Sequence, residues 1–328
     1  MQLLKLNEDF IAGQPKVESL REAFGRALLT LAKRDQRIVA LSADLAQSVG
    51  LGDFAEEMGH RYIEVGVAEQ NMVTVASGLA NMGKIPFAAS YAAFSPGRNW
   101  EQIRTTICLN NQPVKIIGTH AGLNVGPDGA THQMLEDIAL MQVLPNMVVL
   151  SPGDVNEVTQ MVKLMIDDPR PNYLRLPRTS LPTFTATENI LEIGKAYLTR
   201  QDDNPKLTII STGSMTANAL LVSGQLFKKG IPSEVIHVPT IKPLDRETIL
   251  NSVGRTSIAV TIEEHQVIAG LGSTIASLIL ESDIRPTKFK RIGILDRFGE
   301  SGSLADLWRE HCLDIDGLIN QILPLLDS

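Results

Sequence analysis

Short apolar runs rich in Ile and Val alternate with longer helical patterns along this chain, and that alternation restricts its fold more than anything else. Candidate strands are Ile38–Leu41, Tyr62–Val65, Ile85–Ala89, Val114–Gly118, Met147–Leu150 and Asn172–Leu176. Helical patterns lie between them at Glu18–Arg34, Ala68–Met82, Arg98–Asn110, Leu135–Val143 and Val155–Asp167. Strands that take turns with helices favour a mostly parallel, doubly wound sheet. The pattern pauses at Leu181–Thr187, a polar stretch with a proline that reads as a linker. It resumes with strands at Leu207–Ser211, Ser233–Val238, Thr256–Thr261 and Phe289–Ile294. Helices are expected at Thr216–Lys229, Asp245–Asn251, Gly272–Ser282 and Ser303–Arg309, with a last one near Ile315–Leu323. The reading is an α/β protein of two doubly wound domains, residues 1–185 and 190–328, and a length of 328 residues suits two.

Composition narrows the function. A net charge of -7 argues against a nucleic-acid partner, which wants a basic face, and against a polybasic membrane patch. The two cysteines, Cys108 and Cys312, are too few and too far apart for a disulfide framework or a zinc site, and both read as buried reduced thiols. No apolar run approaches the ~18 residues of a membrane span. The opening MQLLKLNEDF lacks an apolar signal core, so a cytoplasmic protein is expected.

In open α/β sheets ligands sit beyond the carboxyl ends of the strands. Five polar or aromatic residues fall there: Asp44, Glu69, Phe94, His120 and Arg178. Glu69 alone is an ordinary first-turn glutamate that suits the helix dipole. Its neighbours Val65, Val67, Ala68, Met72 and Val73 are apolar, which favours a protonated carboxyl able to donate to a ring nitrogen. Phe94 alone reads as core, and beside Glu69 as a stacking platform. His120 and His132 read equally as loop histidines or as site groups. The glycine-rich span Gly122–Gly129 carries so little apolar content that packing does not explain it, which favours a functional loop. Gly270-Leu271-Gly272 is an incomplete dinucleotide fingerprint, better explained as a tight turn opening a helix. Walker A, His-Glu-x-x-His and Gly-x-Ser-x-Gly runs are absent.

The runs VGVAEQNM, ASYAAF, THAGLNVGPDGATHQ, LPNMVVLSPGDVNEV and YLRLPR, in that order, resemble the pyrimidine-binding domain of transketolase. They are also similar to that domain in 1-deoxy-xylulose-5-phosphate synthase. The resemblance covers almost all of residues 18–180. The later runs VTIEEH and AGLGSTIASLI resemble the family's carboxy-terminal domain. It implies thiamine diphosphate as cofactor. Glu69 would bond the pyrimidine ring nitrogen and control its tautomer, Phe94 would stack on the ring with Tyr91 at its edge, and Asp44 would lie near the thiazolium. Asp128 would bind a donor-sugar hydroxyl, and His132 would serve as acid/base or stabilising group at the reacting carbonyl. His120, Arg178, Arg21 and Ser48 would hold the distal phosphate of a sugar phosphate. No residue of this chain is expected to bind metal.

The diphosphate and its Mg²⁺ need Gly-Asp-Gly, and neither Gly52-Asp53-Phe54 nor Gly153-Asp154-Val155 is that motif. The resemblance therefore implies the carboxy-terminal subunit of a split transketolase. Its partner would be an amino-terminal subunit that binds the diphosphate and Mg²⁺, in a homodimer or an α2β2 assembly. The rival readings are a synthase fragment, the beta subunit of a 2-oxo-acid dehydrogenase, and a non-catalytic homologue. The Asp128–His132 loop and Arg178 fit sugar phosphates better than branched 2-oxo acids.

Overall fold

The computed structural model describes residues 2–326. The first half supplies β1 (Val17–Glu18), β2 (Ile38–Ser42), β3 (Tyr62–Glu64), β4 (Ile85–Tyr91), β5 (Lys115–Thr119), β6 (Val148–Leu150), β7 (Asn172–Arg175) and β8 (Leu181–Pro182). The second supplies β9 (Tyr197–Gln201), β10 (Leu207–Ser211), β11 (Ser233–His237), β12 (Thr240–Lys242), β13 (Ile258–Gln266) and β14 (Lys288–Ile294). Seven strands form one sheet in the order β12-β6-β7-β5-β4-β2-β3, parallel except for β12. A five-stranded sheet has the order β14-β13-β10-β11-β9, with only β9 antiparallel. Every residue of β2, β5 and β10 is buried. Helices cover both faces of such strands, so they carry near-continuous apolar runs rather than alternation.

Three long helices flank the first sheet. Leu20–Ala32 starts at Ser19, whose hydroxyl accepts from Glu22 N at 3.4 Å, and Phe24 of this helix packs near Phe87 of β4. Val155–Asp167 starts at Asp154, whose carboxylate accepts from Asn156 N and Glu157 N. Glu69–Asn81 has no side-chain cap. Strand order reverses between β2 and β4, because β3 lies to one side of β2 and β4, β5 and β7 to the other. Such a reversal opens a crevice at the carboxyl ends.

Several expectations need correction. Leu181–Thr187 is no solvated linker. Leu181, Phe184 and Thr185 are buried, β8 pairs with β1, and Asp154 Oδ2 accepts from Phe184 N and Thr185 N. Four strands lacked a sequence signal: the short β1 and β8, which pair with each other, and β9 and β12. Both β9 and β12 are edge strands, and β12 crosses over to pair with β6 of the first sheet. The pattern Arg98–Asn110 becomes a helical segment that starts at Trp100 and widens into π-type turns over Ile103–Cys108. There Thr105 and Thr106 hydroxyls donate to the carbonyls four residues back, a contact that loosens the ladder. Leu123, Asn124 and Val125 of the glycine-rich span are buried, so packing does explain part of it. Cys108 is buried as expected, whereas Cys312 is exposed in a left-handed turn after the helix Leu304–Glu310. Among the described residues no helix is long and apolar enough to cross a membrane.

Candidate active site

The loops after β2, β3, β4, β5 and β7 bring most of the singled-out residues to the carboxyl edge of the first sheet. Glu69 opens its helix with only 4% exposure. Its carboxylate accepts from Arg98 Nη1 at 3.2 Å, and its carbonyl accepts from the buried Asn99 amide at 3.0 Å. Asn99 also donates to Ser95 Oγ at 3.1 Å, so the turn after β4 is tied to the start of the Glu69 helix. In the same turn Arg98 lies over the Phe94 ring, 4.1 Å from its centroid. Phe94 and Tyr91 stack at 5.6 Å.

Tyr91 also stacks on His120 at 3.6 Å, and the His132 ring meets Phe94 edge-on at 5.4 Å. His120 adopts φ 58°, a left-handed conformation that costs on the order of 1–3 kcal/mol. That conformation turns its ring inward, where it is 2% exposed. Burial, with the cations Arg21 and Arg178 nearby, lowers its pKa from 6.5 to about 3. His120 is therefore a neutral ring near neutral pH. Its Nδ1 lies 3.0 Å from Thr119 Oγ1, which donates to Ser90 O.

Burial is the main cause of the lowered Arg21 pKa, and the nearby Arg178 adds to it. Arg21 donates to the backbone carbonyl of Ser48, while its buried Nε has no protein partner. Ser48 thus meets Arg21 through its backbone carbonyl. Arg178 donates to Val125 O at 2.6 Å and pairs with Asp128 at 3.6 Å. Asp128 is exposed at the end of the six-residue helical segment Leu123–Asp128, which is broken by a kink at Gly126. Two arginines and two histidines meeting at one edge can take an anion.

Asp44 is exposed at the rim, with φ 62°. Sequence reasoning gave Glu64 no role, yet it builds this loop. Its carboxylate accepts from Asp44 N at 2.7 Å, Gly66 N at 2.8 Å and Tyr62 Oη at 2.7 Å. Burial opposes its charge, but these donors outweigh burial and lower its pKa. Arg98 and Asn99 were missed as well. Arg98 lay inside a segment read as helix, and Asn99 carries no signal beyond being a small polar residue before an apolar pattern. Asp154, the aspartate of the rejected Gly-Asp pair, is fully enclosed among Phe184, Thr185 and its own helix start, and burial raises its pKa to about 6. Its oxygens accept from the backbone N–H groups of Asn156, Glu157, Phe184 and Thr185 and from the Thr185 hydroxyl.

The Glu69–Phe94 cradle fits the pyrimidine half of a thiamine cofactor on direct grounds. It already holds a flat group that donates an N–H to the carboxylate and offers its face to the ring.

The sequence matches the transketolase pyrimidine-binding domain over residues 17–183 and the transketolase carboxy-terminal domain over residues 194–318. Fold and site together thus define a subunit of a transferase-type thiamine enzyme. The chain belongs to the transketolase family. It is 40% identical over 93% of its length to a putative transketolase C-terminal section of Methanocaldococcus jannaschii, covering 96% of that protein. It is 38% identical to a 6-deoxy-6-sulfo-D-fructose transketolase subunit of a Clostridium species, with 89% of each covered. Its fold matches a solved structure described as a split-gene transketolase, inactive β4 tetramer, at TM-score 0.85 and 38% identity, covering 93% of this chain and 97% of that one.

Proposed function

We propose that this chain is the carboxy-terminal subunit of a thiamine diphosphate-dependent transketolase. It moves a two-carbon ketol unit from a ketose phosphate to an aldose phosphate in the cytoplasm. Residues 1–185 form the pyrimidine-binding module and 190–328 the carboxy-terminal module. A separate amino-terminal subunit holds the diphosphate and Mg²⁺, in an α2β2 assembly. The observation that carries the reading is the buried Glu69 carboxylate facing a flat N–H donor over Phe94. The names of the relatives give it more support than the synthase alternative.

When bound, the cofactor supplies the nucleophilic carbon and the electron sink. This chain's residues position and move protons. Glu69 holds the pyrimidine nitrogen and governs where its ring proton resides, with Asp44 at the thiazolium side. Phe94 and Tyr91 fix the ring plane. His132, edge-on to Phe94, reaches the substrate carbonyl and hydroxyl as acid or base. Asp128 takes a donor hydroxyl. Arg21 and Arg178 hold the distal phosphate by charge, and the neutral His120 ring lines that pocket beside the carbonyl of Ser48.

The test mixes the purified chain with an amino-terminal transketolase subunit that carries Gly-Asp-Gly. Turnover of xylulose 5-phosphate with an aldose phosphate acceptor, and none of pyruvate, is expected. Turnover of pyruvate alone would overturn the reading in favour of a 2-oxo-acid or synthase activity.

A further inference from the structure

One side chain makes both contacts that the proposed function assigns to the pyrimidine ring. Arg98 Nη1 lies 3.2 Å from Glu69 Oε1, and its guanidinium carbon lies 4.1 Å from the Phe94 centroid. A guanidinium and an aminopyrimidine share the relevant features: each is planar, presents N–H donors in that plane, and has two faces for stacking. A cradle made of one carboxylate and one ring face holds one such group at a time. We propose that Arg98 is a placeholder, closing the pyrimidine position in the cofactor-free chain and swinging out when the ring enters. This inference rests on the pyrimidine-site reading above.

The surroundings suit an exchange. The Glu69 side chain is 5% exposed, and a buried carboxylate left without a partner is costly. Arg98 supplies that partner until the ring does. Its own side chain is 51% exposed, so it has solvent to move into. The backbone beside it need not follow, because Asn99 stays fastened to Glu69 O and Ser95 Oγ. The closed state lowers apparent affinity by the fraction of chains that are open.

The probe is 4-amino-5-(hydroxymethyl)-2-methylpyrimidine, the ring half of the cofactor without its diphosphate. It is titrated by calorimetry into the full chain, with thermal melts to verify folding. Arg98→Ala is expected to bind it about fivefold or more tightly than the wild type, the gain set by the population released. Arg98→Lys keeps the charge but loses the plane and the fork, and is expected to fall between. Adding Glu69→Gln to Arg98→Ala should abolish binding. If Arg98→Ala and Arg98→Lys bind as weakly as the wild type, or more weakly, the placeholder is overturned and the pyrimidine site stands. If the ring binds to none of these chains, the pyrimidine-site reading falls and the placeholder with it.

Discussion

Glu69 is a buried carboxylate whose side-chain partner is the Arg98 guanidinium. Glu69→Gln in the complete assembly is expected to lower kcat by about 100-fold or more, the scale of a positioned proton-transfer group. The melting temperature should barely move, since a helix-start carboxylate contributes only ~0.3–1 kcal/mol. Near-normal kcat would remove Glu69 from the chemistry. Arg178 calls for a contrast. Arg178→Ala is expected to raise KM for a phosphorylated ketose by ~10–150-fold, the range of a lost charge-assisted bond, and to leave hydroxypyruvate much less affected. Equal losses would make Arg178 structural through Val125 and Asp128. His120 has a pH signature. Its folded pKa lies below its unfolded value, so its contribution to stability is present above pH 6.5 and is lost as pH falls toward about 3. His120→Asn should therefore flatten the fall in melting temperature across that window, and an unchanged acid slope would contradict the burial argument. The placing of these residues at strand ends was legible from the alternation alone. That His120 is neutral and Ser48 meets Arg21 through its carbonyl was not, because both depend on packing across the sheet edge.

Among the elements, the loop carrying Asp128 and His132 is braced rather than free. Gln133 donates to Glu300 O at 2.9 Å, Thr179 N donates to Asn124 Oδ1 at 2.6 Å, and a Cβ on Gly129 would meet Ser301 Oγ at 2.6 Å. Gly129 also adopts φ 73° and ψ -165°, a region essentially reserved for glycine. Gly129→Ala is thus expected to cost on the order of 1–3 kcal/mol locally, shifting Asp128 and His132. The readout is kcat/KM falling about tenfold or more while the melt stays cooperative, and an unchanged kcat/KM would detach the loop from the site. Sequence gave this loop as functional because of its glycines but missed its brace, since residues 299–303 lie far along the chain. Leu181–Thr187 misled for a related reason. Its polar atoms bond to Asp154, a partner that composition does not show.

For the whole molecule, the two sheets are locked together by buried polar pairs. Arg175 bonds Asp137 at 2.8 Å and Glu264 O at 2.9 Å, and Glu157 meets His237 at 2.9 Å. With β12 on β6, these contacts tie the residues before the 185–190 break to those after it. What sequence did convey at this scale was an absence, the missing Gly-Asp-Gly, which no single fold element reports. From it follows the last expectation. On the proposed function this chain takes the pyrimidine at Glu69 and Phe94 while the diphosphate and Mg²⁺ are held elsewhere, so the chain alone should bind the whole cofactor weakly. Ligand stabilisation scales as RT ln(1 + [L]/Kd), so thiamine diphosphate with Mg²⁺ should hardly shift the isolated chain's melting temperature. The shift should become several degrees once the amino-terminal subunit is added. Light scattering should show a homo-oligomer before mixing and a heteromeric assembly after it, with ketol transfer only in the second. Full ketol transfer by this chain alone, or a cofactor-induced shift equal with and without the second subunit, would mean that the diphosphate site lies within these residues after all.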